Sequence, residues 1–308
     1  MESGEGASLG KMNDISPPAQ TMSPEGSSPF GDMTKLTEFI GKTKQEVDYG
    51  KMISSETRVL SFGEVHYREA AKEEVISNLK VLKELGFTHI GMEVFGEDVQ
   101  ESLDQSTDIK SHSQLIEQAK RSGRYSPGAT DLYLTIAQEA KNIGLQIIGL
   151  NLPSNHEQLS EVAEAVRQLD TQMAARAKSV LEKNPQNRIV TFTGAGHAEK
   201  GGHSMAEILQ QDFEVVGVNL TGGGKEAFSP TERAALQAQV SLERFMVPNM
   251  AQFPTSSFRF DWVVHLPQVE EPGPYEQMLI KNRNFMKTVE AQTLIANTIS
   301  RTRKGRGL

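Results

Sequence analysis

Apolar residues in this chain follow two alternating rhythms. Short runs that are apolar at nearly every position alternate with stretches where apolar residues return every three or four positions. Arg58-Val59-Leu60-Ser61-Phe62 is such a run, ending at Gly63, and reads as a buried strand. Arg68 to Leu85 follows with Ala71, Val75, Leu79, Leu82 and Leu85 at helical spacing, and Gly86 stops it. The alternation continues with a strand at Thr88–Val94, polar helix-like segments to about Ser122, a helix at Asp131–Ile143 closed by Gly144, and a strand at Leu145–Leu150. A long helix at His156–Glu182, a strand at Arg188–Thr193, a helix at Ser204–Gln211 and a strand at Phe213–Leu220 complete the series. Strands that are apolar on both faces and alternate with helices predict an α/β fold. Its central sheet is mostly parallel and flanked by helices on both faces.

The ends of the chain depart from this rhythm. Residues 1–31 are rich in Gly, Ser, Pro and Met and hold almost no aliphatic residues, the composition of a disordered tail. Asp32 to Met52 reads as one helix, with Leu36, Phe39, Ile40 and Val47 on one face. Residues 222–257 read as an insertion before the last strand, part helix and part loop, and Phe258–Leu266 alternates as that strand should. Tyr275–Ile299 reads as a closing helix. The expected organisation is a tail over 1–31 and one α/β domain over 32–308, with its core at about 57–266 and the C-terminal helix at about 273–300.

Ligands of open parallel sheets bind outside the carboxyl ends of the strands, which says where chemistry should be sought. The first strand ends in Gly63-Glu64-Val65-His66, the second at Glu93, the third at Asn151 and the fourth in Gly194-Ala195-Gly196-His197. Two histidines, two carboxylates and an amide thus fall at corresponding ends of four strands. If the chain is still extended past Gly63, Glu64 and His66 point to the same face. Such groups can share a metal or position a water. Arg68 and Arg124 are candidate electrostatic helpers, with Asn151 beside them. His89, His112, His156, His203 and His265 lack this placement. Gly222-Gly223-Gly224-Lys225 lacks the Ser/Thr and spacing of a phosphate loop, and Gly194-x-Gly196 lacks the third glycine of a dinucleotide fingerprint.

Composition narrows the chemistry. The chain has 308 residues and no cysteine, which removes disulfides, thiolate ligands and a catalytic thiol. With a net charge of −8 and a basic stretch only at Arg301–Arg306, nucleic acid is not an expected partner. No apolar run approaches the roughly 20 residues that span a bilayer, and no secretory leader is seen. The expected location is therefore the cytoplasm, with secretion by a route without a cleaved leader left open.

Phe62-Gly63-Glu64-Val65-His66, Gly91-Met92-Glu93 and Thr193-Gly194-Ala195-Gly196-His197-Ala198 resemble the superfamily of erythromycin esterases, ChaN-like haem-binding lipoproteins, TraB proteins and Tiki proteases. Phe260-Asp261-Trp262-Val263-Val264 is similar to the aromatic last strand of the ChaN-like branch. The likeness covers roughly residues 57–266 and implies a site made by Glu64, His66, Glu93 and His197. By resemblance to the Tiki branch these would hold a divalent ion (Mn, Zn or Co). By resemblance to the esterase branch His66 would be a general base acting without a metal. The implied function is a hydrolase or related lytic enzyme acting on an ester or amide bond of a small-molecule or peptide substrate. The alternatives are a haem- or metal-binding protein, with Tyr67 the one candidate haem ligand, and a secreted effector or toxin module.

Overall fold

The computed structural model describes residues 33–122, 127–153, 162–224, 230–248 and 259–268. Its elements run α1 (Met33–Thr43), β1 (Thr57–Glu64), α2 (Glu69–Glu84), β2 (His89–Gly96), α3 (Gln100–Gln105), α4 (Ser113–Ser122) and α5 (Pro127–Asn142). They continue with β3 (Gln146–Asn151), α6 (Val162–Lys183), β4 (Ile189–Gly194), α7 (Ala195–Ala198), α8 (Met205–Leu209) and β5 (Glu214–Gly222). The described chain closes with α9 (Pro230–Gln237), β6 (Phe245–Pro248) and β7 (Trp262–Leu266). The strands form one sheet in the order β3-β2-β4-β1-β5-β7-β6. Every pairing is parallel except that of β6 with β7.

The apolar runs are strands because both their faces are covered. Leu60 and Phe62 of β1, Val190 and Phe192 of β4 and Val218 of β5 share a core with α2, α4 and α5. Val59, Ile189 and Val215 turn the other way, onto Met173, Ala177 and Leu181 of α6 and Met205 and Leu209 of α8. Burying a side chain of this size contributes about 1.5–3 kcal/mol, so the two layers supply most of the driving force. Gly86 and Gly144 end α2 and α5 at φ +91° and +80°, a backbone region that side chains with a Cβ rarely adopt, as their place after the helical runs led one to expect.

The order of the strands locates the functional edge. The connection from β1 crosses the α2 face toward β2, whereas the connection from β4 crosses the α8 face toward β5. The chain therefore diverges to opposite faces between two adjacent strands, β1 and β4, and opens a crevice at their carboxyl ends.

Several expectations need correcting. The helix expected over Asp32–Met52 ends at Thr43, because Gln45 instead exchanges both backbone hydrogen bonds with Met246 of β6. The stretch 222–257 contains a strand, Phe245–Pro248, as well as α9. Four residues ending in Pro are too short a run to read as a strand, and Pro is tolerated there because β6 is an edge strand. The last strand begins at Trp262 rather than 258, since Asp261 turns aside to accept a hydrogen bond from Gly217 N–H at 2.8 Å. The tail 1–31, the first residues of the helix expected from His156, Arg124 and the closing helix over 275–299 lie outside the described residues.

Candidate functional site

β1 and β4 lie side by side with Glu64 opposite Gly194, so the two Gly-x-x-His segments leave the sheet next to each other. Past Glu64 the chain is not extended. It turns, closed by Arg68 N–H on the Val65 carbonyl at 2.7 Å, and His66 sits in the turn. Glu64 and His66 still meet, because the turn folds the ring back so that His66 Nδ1 lies 2.9 Å from Glu64 Oε1. After β4 the single turn of α7 carries His197 back over the strand end, where its Nδ1 lies 2.8 Å from Asp170 Oδ1 of α6.

Glu93 stands between the rings. Its strand loses register with β3 between Met92 and Gly96, and this irregularity re-aims the side chain toward β4. Glu93 Oε2 accepts the Gly194 N–H at 2.6 Å, while Oε1 lies 3.7 Å from His66 Nε2 and 3.6 Å from His197 Nε2. Those two separations exceed hydrogen-bond length, so Glu93 does not tie up either Nε2.

Behind His66, Glu64 is fully enclosed. Its Oε2 accepts from the ammonium of Lys72, and its Oε1 accepts from the Tyr133 hydroxyl. The result is an alternating row of charges: Lys72, Glu64, His66, Glu93, His197, Asp170. His66 is its most open member, with 37% of the side chain exposed against 14% for His197.

The row sets the proton affinities. Burial alone would raise Glu64, but Lys72 and the hydrogen bond from His66 outweigh it and hold Glu64 at about 2. Burial would likewise raise Glu93, yet the two imidazoles and the Gly194 N–H draw it below the usual carboxylate range. Burial pushes His197 down, but Glu93 and the Asp170 hydrogen bond lift it to about 9. His66 is raised as well, against its burial, by Glu93 and by Glu64. Glu199, next after α7, is pushed up to about 8 by burial, with Asp170 and Glu207 adding repulsion.

The four side chains read from the sequence as the site, Glu64, His66, Glu93 and His197, are thus brought together. Asn151 is adjacent but acts on the backbone, with its Nδ2 donating to the Glu93 carbonyl at 2.9 Å. Arg68 is not in the row. It is buried beneath Gly222, with its Nη2 3.9 Å from Glu232 of α9. Arg68 is better read as the anchor of the insertion than as a helper. Sequence reasoning missed Asp170, Lys72 and Tyr133. They come from three helices and carry no signal beyond a polar residue on an otherwise apolar face.

Two imidazoles with carboxylates behind both rings, facing a third carboxylate, are donor types that divalent ions accept. As arranged, however, no group of three or more His, Asp or Glu side chains among the described residues is set to hold an ion. As placed, the described side chains do not converge on a position for a resident ion. Tyr67, the haem-ligand candidate, is half-buried, with its ring 5.7 Å from the Arg68 guanidinium, a cation–π distance.

Residues 53–158 match the family described as haem-binding uptake, Tiki superfamily, ChaN. Two of the three motifs, Phe62–His66 and Gly91–Glu93, lie in this segment, and the resemblance read from the motifs is borne out by that match. No curated protein matches the chain. Among solved structures, an erythromycin esterase mutant in its open conformation is similar with a TM-score of 0.50 and 12% identity, over 78% of this chain and 98% of that one. That likeness is one of fold and agrees with the α/β architecture. The type III effector HopBA1 matches with a TM-score of 0.47 and 13% identity, over 69% of this chain and 88% of that one. A ChaN of Campylobacter jejuni described by its cofacial haem binding matches at 0.34 and 14%, over 68% and 88%. The chain spans less than half the length of two bacterial toxin structures that it also matches. No helix among the described residues is long and apolar enough to cross a membrane.

Proposed function

We propose that the chain is a hydrolase or related lytic enzyme acting on an ester or amide bond, with His66 as general base and His197 as the cationic partner. The carrying observation is that each ring has its Nδ1 bound to a carboxylate while both Nε2 atoms face the space around Glu93. An Nδ1–H donated to a carboxylate leaves Nε2 as the working nitrogen, the arrangement by which a carboxylate orients a catalytic imidazole.

In this reading His66 Nε2, the more open of the two, takes a proton from water. The hydroxide attacks the carbonyl carbon, and His197 Nε2–H donates to the oxygen as it gains negative charge. Collapse breaks the bond to the leaving group, which receives the proton held on His66. Glu93 keeps both rings turned toward one point. A positioned base contributes typically ~10²–10⁴-fold to such a step.

The test is a panel of esters, amides and peptides assayed with and without chelator, for the chain and for His66→Ala and His197→Ala. Turnover that survives the chelator and is lost in both folded variants supports the reading. Turnover abolished by the chelator and restored by Mn or Zn, or untouched by both substitutions, overturns it.

A further inference from the structure

Lys72 is a lysine with no exposed side-chain surface, and it takes no proton and touches no substrate in the proposed hydrolysis. Its ammonium has three donors and three acceptors. It reaches Glu64 Oε2, the His66 carbonyl at 2.8 Å and the Arg68 carbonyl at 3.0 Å. One cation therefore ties the carboxylate behind the ring, the backbone of the ring's own residue and the residue that opens α2. The ammonium also lies 4.9 Å over the ring of Tyr133, whose hydroxyl holds the other oxygen of Glu64. Neutralising a buried carboxylate would need one contact; here the same group also pins the turn that carries His66.

We propose that Lys72 is a positioning residue for His66, keeping Glu64 a pure hydrogen-bond acceptor and so deciding which imidazole nitrogen is free to take a proton. An ionised carboxylate can only accept, so the hydrogen between Glu64 and His66 belongs to Nδ1 and the lone pair to Nε2. A buried carboxylate deprived of its cation takes up a proton instead. Glu64 would then donate to Nδ1, the hydrogen would move to Nε2, and the nitrogen facing Glu93 could no longer act as a base. The chain of control runs from α2 through β1 to the ring without Lys72 touching a substrate.

The inference rests on the hydrolase reading of His66, and the two can fail separately. The experiment is NMR of the full chain labelled at its histidines, above the pH at which His66 loses its charge, with the His66 signals assigned by their loss in His66→Ala. The expected result is the Nδ1–H tautomer in the wild type and the Nε2–H tautomer in Lys72→Met. Lys72→Gln keeps an amide donor beside the same acceptors and serves if the Met variant does not fold. In parallel, kcat on p-nitrophenyl acetate is expected to fall about 100-fold in the Lys72 variant with KM little changed. An Nε2–H tautomer in the wild type, or an Nδ1–H tautomer persisting in a folded Lys72 variant, overturns the inference. A tautomer that switches as expected, in a protein whose wild type hydrolyses the ester no faster than His66→Ala, supports the positioning role and sinks the hydrolase reading instead.

Discussion

Asp170, near the middle of the long helix α6, accepts a hydrogen bond from His197 Nδ1 at 2.8 Å. The same oxygen accepts the Met205 N–H at 2.8 Å, so the carboxylate that orients the ring also ties it to the start of α8. Asp170→Asn keeps the shape and removes the charge. His197 should then titrate below about 9, because both contributions that Asp170 makes to its proton affinity weaken. An NMR titration of His197 checks this, and an unmoved midpoint would show that Glu93 alone holds the proton.

The proposed roles set a pH profile. His66 must be neutral to accept a proton, and its affinity is raised by Glu93 and Glu64, so the acid limb of turnover should lie above the 6.5 of an unperturbed imidazole. His197 must stay cationic, so turnover should fall as pH passes about 9. A bell with its alkaline limb near 9 is expected in kcat/KM. A profile flat from pH 7 to 10 would contradict the assignment.

Stability should have a different optimum. His197 is raised from 6.5 to about 9, so its contribution is complete below 6.5 and lost as pH climbs through about 9. Glu199 is raised from 4.5 to about 8, and its contribution likewise fades between those values. Glu64 runs the other way: held at about 2, it stabilises above 4.5 and its contribution is lost as pH falls toward 2. The urea midpoint is therefore expected to peak between about pH 4.5 and 6.5 and to decline by pH 9, with turnover rising as stability falls. A midpoint that increases from pH 6 to 9 would refute the assignment.

Gly194 allows a test of the crevice that leaves the core alone. A Cβ built there would lie 2.9 Å from His66 Nε2, whereas the backbone φ of −57° is open to any residue. Gly194→Ala should displace the His66 ring and lower turnover by at least about tenfold, since a shift of about 1 Å can cost on the order of 10² in rate. The thermal midpoint should change little. At Gly63 the added Cβ would meet the Ala195 backbone at 2.9 Å, so Gly63→Ala should lower the thermal midpoint as well.

Arg68 and Glu232 are both buried, 3.9 Å apart, where the insertion helix α9 meets the end of β5. Glu232 also accepts the Gly222 N–H at 2.7 Å. Glu232→Ala takes a carboxylate from beside a buried guanidinium, a change that costs about 3–5 kcal/mol when such a pair is broken. Chemical denaturation should register a loss of that size. A loss under about 1 kcal/mol would mean that the anchoring role is wrong.

The sequence by itself determined the layers and the edge. Runs apolar at every position have to be covered on both faces, and alternation with helices makes such strands parallel, so the carboxyl-end rule places Glu64, His66, Glu93 and His197 at one rim. Strand neighbours were decided only by the tertiary structure. Setting β4 between β1 and β2 puts Gly194 beside Glu64 and within reach of Glu93, a juxtaposition separated by more than a hundred residues of chain. Tertiary structure also supplied Lys72, Tyr133 and Asp170. A helix exposes its sequence pattern but not the angle at which it packs, and that angle makes these three residues partners of the histidines rather than surface groups. The turn at Val65–Arg68 was illegible for the same reason: local propensity favours no one conformation there, and the Lys72 contacts to two carbonyls settle it.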